Sequence, residues 1–320
     1  MESVKHTFDF DIDELWKYLN NLFESRIVLL DGGMGTSLQK YKFEEEDYRG
    51  ETFIDHHGEL KNNSDILCIT KPDVIREIHR GFVEAGSDII ETNTFNGQSI
   101  SQSDFGLEHI VYDVNVKAAQ LAREIADEYS DKEKNIWKLV AGAVGPMPRT
   151  SSLSPDVNDP TFRNLEFDQA KDSYKEQMRG LIDGGVHIIM IETIFDTLNA
   201  KAAIYAYMEY FEETGLPKLP LFISGTLIDI AGRTLSGQTI EAFYISMMHA
   251  KPFCIGINCA LGADLMSPFV QRLSKIAKMY ISAYPNAGLP NEMGGYDQTA
   301  ESFANEIKEY AEFGINMVGT

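Results

Sequence analysis

Two carboxylates and a thiol stand at the ends of apolar runs, where a side chain can meet a ligand without disrupting a core. Asp31 ends the run from Ile27, Glu192 ends the run from His187, and Asn258-Cys259 ends the run from Phe253. A buried carboxylate is costly unless something pairs it. An amino-acid ammonium would pair Asp31 and Glu192; the competing use is hydrogen bonds from a neighbouring loop. Gly32 and Gly33 would let backbone N–H groups come close to a substrate carboxylate, although Asp-Gly-Gly also makes an ordinary turn. Cys259 is a candidate nucleophile or metal ligand, or a packed thiol. A tight thiolate metal site needs more ligands than one cysteine. Cys254 lies five residues earlier, and odd spacing on a strand sends two side chains to opposite faces. Cys254 therefore reads as a small packed hydrophobe, and Cys68 as a packed thiol without a partner. His56-His57 and His187 lack metal-site spacing, and the adjacent pair reads as solvated loop. Neither a Gly-rich phosphate loop nor a Ser/His/Asp pattern is evident.

Short apolar runs that alternate with amphipathic stretches must position these groups. The runs are Ile27–Asp31, Ser87–Glu91, Leu139–Val144, His187–Glu192, Leu221–Ser224, Cys254–Asn258, Met279–Ala283 and Ile315–Val318. Nearly continuous apolarity suits parallel strands buried on both faces. Helices are expected over Asp73–Ala85, Glu108–Tyr129, Asp168–Asp183, Leu198–Glu213, Glu241–Met248, Met266–Lys278 and Thr299–Glu312. A helix-Gly-strand unit recurs at Gly86, Gly184-Gly185 and Gly314, with each Gly placed for a left-handed helix end. Eight strands in this alternation fit an α/β fold of the (β/α)8 TIM-barrel type. An open doubly wound sheet fits less well, because no phosphate-binding glycine turn follows the first strand. Residues 1–25 read as an N-terminal helical lead, apolar at Leu15, Trp16, Leu19, Leu22 and Phe23, that closes the barrel bottom or packs on its side. Residues 26–320 read as the barrel. It is expected to stop at its last strand, with the eighth helix missing, and to be less stable for it.

The chain has 320 residues, 43% hydrophobic and 24% charged, ordinary values for a globular protein. A net charge of −21 opposes nucleic-acid backbones and anionic lipid. Three cysteines suggest reduced thiols and a cytoplasmic setting. The acidic start lacks signal-peptide character, and no apolar run approaches the roughly 20 residues a membrane span needs.

Several strings together resemble the homocysteine-binding barrel of cobalamin-dependent methionine synthase. They are Leu30–Thr36, Glu91–Asn96, Glu192–Lys201, Ser224–Thr226, Gly232–Thr239, Gly256–Gly262 and Pro285–Asn291. The resemblance implies a zinc-dependent homocysteine S-methyltransferase module of methionine biosynthesis. Its methyl donor would be methylcobalamin, carried on a separate domain or protein. In the family three cysteine thiolates hold zinc and homocysteine sulfur takes the open position; Cys259 matches the first thiolate. Asp31 and Glu192 match the residues that hold the substrate ammonium. Gly32, Gly33 and Met34 match the backbone cradle for its carboxylate. The family's last strand runs into Gly-Gly-Cys-Cys-Gly-Thr, and the adjacent cysteines are the other two ligands. Here the strand reads Val318-Gly319-Thr320, so a barrel truncated before that pair, with weak or no zinc binding and no activity alone, is expected. Two alternatives remain. One is a non-catalytic amino-acid-binding or interaction protein on a decayed barrel. The other is a stand-alone homocysteine methyltransferase using S-methylmethionine or betaine.

Overall fold

The computed structural model describes residues 8–131, 133–288 and 296–320. Eight parallel strands form one sheet in the order β1-β8-β7-β6-β5-β4-β3-β2. They are β1 Val28–Leu29, β2 Ile89–Glu91, β3 Leu139–Val144, β4 Ile188–Ile194, β5 Leu221–Gly225, β6 Cys254–Gly262, β7 Tyr280–Asn286 and β8 Met317–Val318. The edge strands meet at a bridge between Leu30 and Ile89. Asp88 N–H donates to the Leu29 carbonyl at 2.7 Å and Asp31 N–H to the Ile89 carbonyl at 3.0 Å. Strand faces turned toward the axis and toward the helices are both apolar, from Val28 and Ile90 to Val140, Ile189 and Ile255. The result is the TIM-like α/β barrel expected of such runs.

The principal helices are α1 Ile12–Ser25, α2 Pro72–Ala85, α3 Val111–Glu128, α4 Phe167–Asp183, α5 Thr197–Thr214, α6 Ile240–Met247, α7 Ala263–Ile276 and α8 Ala300–Lys308. The last seven follow β1 to β7 in turn. The recurring glycines work as left-handed turns, with φ of +113° at Gly86, +94° at Gly185 and +79° at Gly314. Asp11 caps α1, its Oδ1 accepting the N–H groups of Asp13 and Glu14 at 2.8 and 3.1 Å. Leu15, Leu19, Leu22 and Phe23 of α1 are buried. Phe23 packs edge-on against Phe222 and Phe253 at the N-terminal ends of β5 and β6, so α1 covers the N-terminal end of the barrel.

Some boundaries differ from those expected. The expected strand Cys254–Asn258 runs on to Gly262, and β7 runs to Asn286. The helix expected from Thr299 to Glu312 is α8 followed by a 3-10 helix, Glu309–Phe313. Four short helices were not foreseen: Met34–Gln39, Glu45–Arg49, Leu67–Thr70 and Ser99–Gln102. The first three lie between β1 and α2, where Leu38, Tyr48, Phe53, Leu60, Ile66 and Leu67 build a second apolar cluster against Ile75, Ile78 and Leu121. Helices this short are marginal alone and are held by such packing. No helix among the described residues is long and apolar enough to cross a membrane. Of the expected motif Pro285–Asn291, residues Leu289, Pro290 and Asn291 lie outside the described residues, as do the first seven residues of the chain.

Candidate functional site

A cavity of about 560 Å³ opens at the C-terminal ends of the strands, lined by Asp31, Gly32, Gly33, Met34, Glu192 and Cys259. Every residue expected to act therefore reaches one place, from the ends of β1, β4 and β6. This is the face on which TIM-barrel chemistry is built.

Asp31 is 6% exposed and its Oδ2 accepts the Glu91 N–H at 2.9 Å. The loop partner and the cavity-facing role thus coexist in one carboxyl. Glu192 is also 6% exposed. Glu91, at the end of β2, supplies a third carboxyl, and its Oε1 is buried without a partner. Burial pushes all three carboxyls upward. For Asp31, hydrogen bonding opposes burial and the Glu192 charge adds to it. Glu192 is raised to about 7, moderated by hydrogen bonds from Thr193 and Glu91. Glu91 is raised further by burial together with the charges of Glu192 and Asp31. Lys40, an exposed residue, is the one basic side chain among the described residues lining the cavity.

A side chain at Gly32 would need Thr320 and Phe82 to shift. A Cβ there would land on Thr320 Oγ1 and lie 2.9 Å from the Phe82 ring. The N–H of Thr320 donates to the Asp31 carbonyl at 3.3 Å, tying β8 to the turn.

Two irregular strand ends aim Glu192 and Cys259. Parallel pairing slips between Ile191 and Ile194 in β4 and between Asn258 and Gly262 in β6. At these bulges Thr193, Cys259 and Ala260 adopt φ of +55°, +56° and +60°. A left-handed non-glycine residue persists only where its surroundings enforce it. For Thr193 and Cys259, the fully buried Asn258 supplies that surrounding. Its Oδ1 accepts Ser224 Oγ at 2.7 Å and the Thr193 N–H at 3.2 Å. Its Nδ2 donates to Thr193 Oγ1 at 2.7 Å and Cys259 Sγ at 3.1 Å. One amide therefore joins β4, β5 and the thiol. Burial and then the Glu192 charge push the Cys259 thiol up to about 11, against the Asn258 hydrogen bond. Burial and the nearby charges thus favour the protonated thiol.

The other thiols stay away from the cavity. Cys254 is fully buried at the start of β6 and is pushed up to about 12 by burial. Cys68 is fully buried beside the Asn93 carbonyl, at 3.6 Å. His187 sits at the opposite end of β4, its Nδ1 accepting the Val140 N–H at 3.0 Å. The solvated reading holds for exposed His57 but not for His56, which is half-buried and bonded to the Phe105 carbonyl at 2.8 Å. Among the described residues no group of three His, Cys, Asp or Glu is arranged to hold a metal ion. The sequence has only three cysteines. The residues present therefore do not fit the closed three-thiolate zinc set that the resemblance implies.

Three contributors escaped sequence reasoning as site residues: Glu91, Asn258 and Tyr284. Glu91 carried the same signal as Asp31 and Glu192, a carboxylate closing an apolar run. Asn258 had a weaker one, a buried amide one residue before the thiol. Tyr284, 4% exposed with its hydroxyl unpartnered, stood among the polar groups at the strand ends but carried no sign of a role.

Residues 28–320 match the sequence profile described as Homocysteine S-methyltransferase. The chain belongs to that family. The crystal structure of the homocysteine methyltransferase MmuM from Escherichia coli in its metallated form superposes with a TM-score of 0.72 at 20% identity, covering 94% of each chain. Its oxidised form gives 0.71 at 21% identity with the same coverage. Its apo form gives 0.66 at 19%, covering 94% of this chain and 93% of that one. At these identities the likeness speaks for the shared barrel.

Proposed function

We propose that this family barrel is the homocysteine-binding module of an S-methyltransferase of the methionine-synthase type. The observation that carries it is the convergence of Asp31, Glu192 and the Cys259 thiol on one cavity, beside the Gly32-Gly33-Met34 turn. An α-amino acid bearing sulfur fits this polarity. Its ammonium goes to the buried carboxyls, its carboxylate to the backbone N–H groups of the turn, and its sulfur to the Cys259 end. These residues bind and orient; Asn258 holds the thiol where the ligand sulfur arrives.

Family chemistry uses zinc to make the homocysteine thiolate and takes its methyl group from a donor. Cys259 alone leaves that zinc set short of two thiolates, so methyl transfer by this chain alone is not expected. The long matches over Glu192–Lys201 and Gly232–Thr239 favour methylcobalamin, on a separate domain or protein, as the donor. A second reading is favoured by the lack of a metal-holding group among the described residues: an amino-acid-binding barrel without catalysis. Calorimetric titration with L-homocysteine, with and without added zinc and chelator, tests both. Binding indifferent to chelator, with zinc well below one equivalent, is expected of the chain by itself. No binding of L-homocysteine or L-methionine would overturn the module reading and its alternative together. One tightly held zinc per chain would contradict the ligand deficit.

A further inference from the structure

The buried acidic cluster is larger than pairing one ammonium with Asp31 and Glu192 requires. Glu91 closes β2 between them. Its backbone N–H is bonded to Asp31 Oδ2 at 2.9 Å, and its carboxyl reaches Glu192. Its Oε1 is enclosed and has no partner. An enclosed carboxyl oxygen left without a donor is destabilising, and a ligand N–H entering the cavity would supply one. Among the described lining residues the one basic side chain, Lys40, is exposed. The described residues form no metal-holding group. The hydroxyl of Tyr284 is a second buried, unpartnered polar atom in the same cavity. Two buried polar atoms without a partner in one cavity mark a place completed by a ligand.

We propose that Glu91 is a specificity-determining residue, the third carboxyl of a socket for a primary ammonium. The inference rests on the amino-acid-binding reading above. A primary ammonium carries three N–H donors, and carboxyls from the ends of β1, β2 and β4 offer one acceptor group to each. N-methylation removes one donor and sets a methyl group against a carboxylate. Removing the amine leaves the carboxyls without a counter-charge. The socket therefore selects primary α-amino acids over N-methylated and des-amino analogues of the same length.

The test is calorimetric titration of the whole chain and of Glu91→Gln with L-methionine, N-methyl-L-methionine and 4-(methylthio)butanoate. The wild type should bind L-methionine about 10-fold or more tightly than its N-methyl derivative, the effect of a lost hydrogen bond to a charged group. Glu91→Gln should weaken L-methionine by a similar roughly 10-fold factor and bring the two affinities together. Binding of 4-(methylthio)butanoate should stay level or tighten, because one negative charge has gone. A variant that binds L-methionine as the wild type does, or that weakens all three ligands alike, overturns the proposal. If the variant fails to fold, the wild type still decides, since equal affinity for L-methionine and its N-methyl derivative also overturns it. A wild type that binds none of the ligands sinks the amino-acid reading itself, a result distinguishable from failure of Glu91 alone.

Discussion

Replacing Asn258 with alanine should unlock both irregular strand ends at once. The side chain is fully buried and makes four hydrogen bonds, to Ser224, twice to Thr193, and to Cys259. Asn258→Ala leaves the Ser224 hydroxyl, itself fully buried, and the Thr193 N–H without partners. Each orphaned buried group costs about 1–3 kcal/mol. The Thr193 hydroxyl is half-buried and can turn to water. The expected loss is therefore about 2–6 kcal/mol, a large part of the roughly 5–15 kcal/mol that holds a domain folded. Thr193 and Cys259 then lose the side-chain bonds that hold them at positive φ, so affinity for L-homocysteine should fall as well. Urea unfolding followed by circular dichroism, with the m-value checked against wild type, reads the stability change. Asn258→Asp keeps an acceptor for Ser224 and Thr193 but adds a carboxyl to an acidic cavity. It should be closer to wild type near pH 5 than near pH 8. A loss below about 1 kcal/mol for Asn258→Ala, the value of a single ordinary hydrogen bond, with unchanged ligand affinity would refute this role.

Three further expectations follow from the same geometry. Asp65, fully buried, is raised from 3.8 to about 7, chiefly by burial, with Oδ2 unpartnered. A carboxyl raised in the folded state binds more protons there than in the unfolded chain, so it favours folding below about pH 4 and that contribution is lost as pH rises through about 7. Asp65→Asn, which can still accept the Asn96 N–H, should stabilise the protein at pH 8 by a few kcal/mol and flatten its pH 4–8 stability profile; an unchanged profile would contradict this. Alkylation of Cys259 by iodoacetamide should be slow at pH 7.5 and rise nearly tenfold per pH unit toward about 11; a plateau near neutral pH would show a thiolate already formed. Gly32→Ala should weaken L-homocysteine binding by about 10-fold, because its Cβ needs the Phe82 ring and the Thr320 side chain to shift beside the turn; calorimetry showing wild-type affinity would count against the turn as the carboxylate cradle.

Much of the barrel was legible because strands buried on both faces have to be apolar throughout; β3 begins and ends where the sequence puts it, Leu139–Val144. Asp31 and Glu192 were legible for a related reason, since a carboxylate ending such a run stands out. The segment between β1 and α2 was not. Its helices at Met34–Gln39, Glu45–Arg49 and Leu67–Thr70 are too short to carry periodicity and exist by packing on α2 and α3. The bulges were also hidden. Positive φ at Thr193, a β-branched residue, is opposed by local preference and is imposed by Asn258, 65 positions away. Glu91 shows a different limit: it closes the expected strand Ser87–Glu91, but its meaning depends on which strands adjoin β2.

A crystal structure of the whole chain soaked with L-homocysteine tests the central claim most directly. Expected is the ammonium nitrogen within hydrogen-bonding distance of the carboxyls of Asp31 and Glu192, the carboxylate on the Gly32-Gly33-Met34 turn, and the sulfur beside Cys259. The ligand bound in the reverse orientation, or outside this cavity, would contradict it.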